Sequence, residues 1–78
     1  MAAKSDPQTV EFETRAKNLL KAELKRKGVT YAHLAEKLAA MDIQETERNL
    51  NNKISRGGFS AAFLLQCLTA IGVTDMHL

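Results

Sequence analysis

Tryptophan is absent from this sequence, tyrosine occurs once, and aromatic residues make up only 5% of it. Any core the chain builds must therefore be filled by leucine, isoleucine and alanine rather than by rings. There is one cysteine, Cys67, which excludes an internal disulfide. No run of about 18 apolar residues is present, so no bilayer-spanning helix is predicted. The only proline is Pro7, and nothing after it forbids helix. The opening MAAKSDPQTV lacks the apolar stretch of a secretory signal, and Glu11 and Glu13 follow too soon for an acid-poor transit peptide. These absences predict a cytoplasmic protein in a reducing compartment, without membrane association.

What is present points to one small helical domain. A chain of 78 residues buries only a little more than about 60% of its extended surface and has room for a single core. Hydrophobic residues at 45% and charged residues at 26% fit a globular chain rather than a disordered one. The net charge of +2 is too small to argue by itself for a polyanionic partner. The distribution of charge says more. Between Arg15 and Lys27, six cations (Arg15, Lys17, Lys21, Lys25, Arg26 and Lys27) face the single acid Glu23. Lys17, Lys21 and Lys25 recur every four residues, where like charges repel by a few tenths of a kcal/mol per pair. An anionic partner would relieve that repulsion, although a solvated helix face would carry the same pattern.

Periodicity divides the chain into four helices. The first starts between Pro7 and Glu11, carries Phe12, Ala16, Leu20 and Leu24 on its apolar side with Leu19 beside them, and ends at Gly28. The second opens after Thr30 as N-cap and turns Tyr31, Leu34, Ala35, Leu38 and Met41 toward the core. The third is opened either by Asp42, which forms a capping-box pattern with Glu45, or by Thr46. It sets Ile43, Leu50 and Ile54 opposite Arg48, Asn51, Asn52 and Ser55, and ends at Gly57-Gly58. Ser60 caps the fourth helix, Ala61–Ile71, which is apolar nearly all round, and Gly72 with Val73 closes it. Residues 1–9 read as a flexible arm, 10–73 as the domain and 74–78 as a tail.

The stretch Gly28-Val29-Thr30-Tyr31-Ala32-His33-Leu34-Ala35-Glu36-Lys37-Leu38, followed by Asn49-Leu50-Asn51-Asn52-Lys53-Ile54-Ser55-Arg56-Gly57 and then by Phe59-Ser60 and an apolar helix ending Ile71-Gly72-Val73, resembles the lambda-repressor-like helix-turn-helix domains. More narrowly, Lys17 to Val73 resembles a small bacterial family of uncharacterised helix-turn-helix-like domains. The resemblance implies an all-α, four-helix or at most five-helix domain. In it the helix from Thr30 lies across the DNA backbone and the helix containing Asn51 enters the major groove. Leu34, Ala35, Leu38, Leu50 and Ile54 match the positions that pack those two helices together. The sequence departs from the pattern between Ala39 and Thr46, where it is longer and lacks a turn glycine. Either a longer turn or a third helix extended at its N-terminus is expected, and the extension would bring Glu45 and Glu47 near the phosphates.

The chemistry follows from residue types. Asparagine pairs bidentately with adenine and arginine with guanine when they project from one helix face, so Arg48, Asn51, Asn52 and Ser55 are the expected base contacts on double-stranded DNA. Lys53, Arg56, Lys37, Lys17, Lys21, Thr30 and Tyr31 are the expected phosphate contacts. Phe63, Leu64, Leu68 and Ile71, with Met76 and Leu78, either form a homodimer interface or fill the core of the monomer. No catalytic constellation is present: Cys67 sits in the most apolar helix, and one cysteine with His33 and His77 lacks any zinc spacing. Neither enzymatic activity, metal nor cofactor is expected. The competing reading is a protein-interaction module in which the same scaffold holds a protein partner instead of DNA.

Overall fold

The computed structural model describes residues 6–76, which form four α-helices and no strand. These are α1 (Pro7–Lys27), α2 (Tyr31–Ala39), α3 (Glu47–Arg56) and α4 (Ala61–Ala70). Every helix opens on a short oxygen-bearing side chain that accepts a backbone N–H of its first turn. Asp6 accepts from Gln8 at 2.9 Å, Thr30 from His33 at 3.1 Å, Thr46 from Asn49 at 3.0 Å and Ser60 from Phe63 at 3.0 Å. The predicted arm over 1–9 is corrected by the first of these caps. Pro7 sits in the first turn, where its missing N–H has no partner to lose, so 7–9 are already helical. Residues 1–5 of that arm, and His77 and Leu78 of the predicted tail, lie outside the described residues.

Three of the four helices end in the same way. Gly28, Asp42 and Gly72 adopt left-handed φ values of 69°, 67° and 80°. The residue after each then donates its N–H back over a full turn: Val29 to Leu24, Ile43 to Leu38 and Val73 to Leu68, each at 2.9 Å. Each of these β-branched side chains packs against the core. Asp42 therefore closes α2 rather than opening α3, as its capping-box spacing with Glu45 suggested, and α2 itself stops at Ala39 with Met41 38% exposed. Aspartate tolerates the left-handed region better than most residues, but at a cost glycine does not bear. Asp42→Gly is accordingly expected to raise stability by about 0.5–1 kcal/mol. Urea denaturation checks this, and a lowered midpoint would mean that the Asp42 side chain contributes more than its backbone strain costs.

Leu20 and Leu24 of α1, Leu34 and Leu38 of α2, Leu50 and Ile54 of α3, and Phe63, Cys67 and Leu68 of α4 meet with Ile71 in one core. Both α1 and α2 pack on α3 and on α4. At ~1.5 Å per residue, α1 is about twice as long as any other helix, and its N-terminal turns overshoot the core. Phe12, predicted to be buried, is consequently 53% exposed and lies under the Arg15 guanidinium, 5.0 Å from the ring centre. The four-residue apolar spacing of α1 is real, but its first turns run past the other helices, and the buried leucines lie toward its C-terminal end.

Candidate functional site

Of the two forms expected between α2 and α3, a longer turn or an extended α3, the structure has the turn, over residues 40–46. Thr46 supplies the cap, so Glu45 lies before the helix and Glu47 opens it. At about 100° per residue, Leu50 and Ile54 face inward while Arg48, Asn52 and Arg56 fall on one line on the opposite side. Asn49 and Ser55 flank that line, and the side chains of all five are exposed. Asn49 was not singled out from the sequence, because its N–H serves the Thr46 cap and its side chain resembles any solvated amide.

Asn51 is also exposed, but it is turned toward α1 and is not free-standing. The Ser55 hydroxyl donates to Asn51 Oδ1 at 3.1 Å, which leaves the Asn51 amide N–H groups available as donors. Ser55 thus orients a neighbouring amide, while its own oxygen, still exposed, keeps its acceptor lone pairs. Arg48, Asn52 and Arg56 form no side-chain hydrogen bond or ion pair among the described residues.

The lysine stripe of α1 runs beside this face. Lys17 Nζ donates to the Ser55 carbonyl oxygen at 3.4 Å, at the C-terminal end of α3, where a cation also meets the negative end of the helix dipole. One and two turns on, Lys21 and Lys25 line an open groove of ≈ 400 Å³ with Thr30, Tyr31 and Glu47, at the N-terminal ends of α2 and α3. The predicted contacts Lys17, Lys21, Thr30 and Tyr31 are therefore brought to one side of α3. Lys25, grouped with Lys17 and Lys21 by its spacing in the sequence but not among the expected phosphate contacts, joins them here. Tyr31 is half-buried and packs on the core, and burial raises its phenol above the ordinary value. The Thr30 hydroxyl is occupied as an acceptor by the α2 cap.

The remaining cations lie elsewhere. Lys37 is exposed near the far end of α2, around a shallow hollow with Lys27 and His33. Lys53, predicted as a phosphate contact, is paired with the Glu45 carboxylate at 2.5 Å and rests 5.1 Å above the Phe63 ring. Two glycines let the end of α3 approach α1: Gly57 at φ 73° and ψ −168° is in a region only glycine occupies readily, and a Cβ there would stand 3.3 Å from the Glu13 carbonyl oxygen.

Of the residues predicted for a dimer interface, Phe63 (7% exposed), Leu68 (4%) and Ile71 (7%) are buried in the chain's own core, and Leu64 is partly buried. A helix surrounded by α1 and α2 uses those positions inwardly. The outward side of α4 is instead Ala61, Ala62, Leu65 and Thr69, where Leu65 is 57% exposed. Cys67 is fully buried. Burial, with the Glu45 carboxylate adding to it and the Lys53 ammonium opposing, pushes its thiol up to about 12, so it stays protonated at neutral pH. Among the described residues, no helix is long and apolar enough to cross a membrane.

Residues 12–76 match the model of a family described as a domain of unknown function, DUF6471. No curated protein and no solved structure matches the chain. The matched segment takes in most of α1, all of α2, α3 and α4, and both sides of the groove between them, and the chain accordingly belongs to the DUF6471 family.

Proposed function

We propose that this protein binds double-stranded DNA as a lambda-repressor-like helix-turn-helix regulator of transcription, with α3 in the major groove and α1 and the start of α2 along the flanking backbone. The observation that carries the reading is the pairing of two surfaces. Arg48, Asn51 and Asn52 are exposed along α3, and the Lys17–Lys21–Lys25 stripe lies beside them. The first surface has the donors and acceptors that read base edges, and the second has the cations that neutralise phosphate. Arg48, Asn51 and Asn52 are the base contacts in this reading, oriented in the case of Asn51 by Ser55. Lys17, Lys21, Lys25, Arg56 and the Thr30–Tyr31 backbone hold the phosphates.

A domain this small reads few base pairs, and two copies on half-sites about one DNA turn apart would extend its site. The second copy belongs against the outward side of α4, where Leu65 stands among residues that carry no charge. A buried, unpaired Cys67 suits the reducing cytoplasm in which such a regulator works. The alternative, a scaffold that holds another protein, draws support from Glu45 and Glu47 close to α3 and from the same α4 surface.

Salt separates the two. With about four to six phosphates neutralised, the logarithm of the association constant for a labelled duplex falls with the logarithm of salt concentration at a slope of roughly −4 to −5. Fluorescence anisotropy over a salt series measures the slope, and sedimentation of the same samples gives the stoichiometry. A flat response, or no binding at low ionic strength, leaves only the protein-partner reading.

A further inference from the structure

Among the cations of α3, Lys53 is the one matched to an acid that is itself almost out of water. The Glu45 side chain retains only 10% of its exposure and that of Lys53 retains 48%. A carboxylate so shielded has fewer waters to satisfy it and is favoured by a cation held against it. The Phe63 ring beneath the ammonium adds to the attraction and covers the lysine stem. The three groups come from three elements, the α2–α3 turn, α3 and α4, so the fold itself fixes their meeting. Lys53 also borders, with Arg56 and Ser60, a shallow polar pocket where α3 runs into α4. That is the flank of α3 opposite the α1 lysines, where the second DNA strand would pass with α3 in the groove.

We propose that Glu45 stands in for a phosphate and keeps Lys53 out of the DNA contact set. It thereby lowers sequence-independent affinity without touching the side chains that read bases. The inference rests on the DNA-binding reading above and gives the longer α2–α3 turn a purpose, since Glu45 lies within it. Backbone contacts supply nearly all non-specific binding, and a genome offers a vast excess of non-specific sites. Withholding one phosphate contact improves discrimination by weakening the competitor, a repulsive element set against the wrong target.

The test uses the full chain and a random-sequence duplex titrated across a salt series. Glu45→Gln should steepen the slope of log K against log salt by about 0.9, the increment for one more phosphate, and tighten binding several-fold at low salt. The double variant Glu45→Gln/Lys53→Gln, which removes both charges and leaves no unpaired carboxylate, should return to the wild-type slope. Glu47→Gln removes the same charge from the start of α3 and should not steepen the slope, which separates release of Lys53 from a general change in field. An unchanged slope in Glu45→Gln overturns the inference and leaves the DNA reading intact. So does a slope shallower than the wild type's in the double variant, and that comparison decides the matter even where Glu45→Gln alone does not fold. Absence of duplex binding in every variant overturns both.

Discussion

Ile54→Ala is expected to lower the stability of the domain by about 2–5 kcal/mol. Ile54 is fully buried on α3 and faces the core shared by all four helices. Truncation removes its transfer free energy and leaves a cavity that rigid neighbours on three sides close only in part. A chain of this size has a total stability on the order of 4–12 kcal/mol, so the variant loses much of its margin and populates unfolded chain at moderate temperature. Leu65→Ala, at a leucine 57% exposed on α4, is the matched control and should change stability by no more than about 0.5 kcal/mol. Urea denaturation of both gives the comparison. Equal losses would mean that α3 is not seated by Ile54 as described, and that the outward line of Arg48, Asn52 and Arg56 has a different orientation.

Helix positions were legible in the sequence wherever a single residue type has one physical use. Gly28 and Gly72 stop helices because the left-handed backbone they adopt is cheap only for glycine, and Thr30 and Ser60 start them because their oxygens reach a first-turn N–H. Asp42 misled because aspartate has two uses. It caps helix starts, and it also tolerates the left-handed conformation that ends them, and nothing local distinguishes the two. Apolar periodicity gave the inward face of each helix but not how far the face is covered. Phe12 continues the stripe of Leu20 and Leu24, and only the shortness of α3 and α4 leaves it in solvent.

The candidate site was legible in composition and only partly in geometry. The outward placement of Arg48, Asn51, Asn52 and Arg56 follows from the burial of Leu50 and Ile54, which the sequence pattern specifies. That Lys17 meets the end of α3 depends on a separation of 38 residues, and that Lys53 meets Glu45, eight residues before it, on how the chain leaves the turn ahead of the Thr46 cap. Such pairs are settled by packing rather than by spacing. The inward use of Phe63, Leu68 and Ile71 had the same origin: a helix apolar all round does not reveal which side its neighbours take until those neighbours are placed.

The largest functional effect is expected from Arg48→Ala, Asn51→Ala and Asn52→Ala combined. Each side chain that pairs bidentately with a base contributes about 1–3 kcal/mol of discrimination against the wrong base. Loss of all three therefore erases on the order of a hundred-fold or more of the preference for a selected target over random duplex. Only Arg48 among them carries charge, so the salt slope should change by no more than about 0.9. Lys17→Ala with Lys21→Ala should do the reverse, weakening every duplex alike and reducing the slope by about 2, because these residues are assigned to phosphate. All three residues of the triple variant are exposed and none belongs to the core, so it keeps its fold, and circular dichroism verifies this. Duplexes selected from a random pool by the wild type provide the target. If the triple variant keeps the wild-type preference, α3 does not read bases. If the wild type ignores every duplex and both it and the triple variant capture the same protein partner, the function lies on the uncharged side of α4 around Leu65.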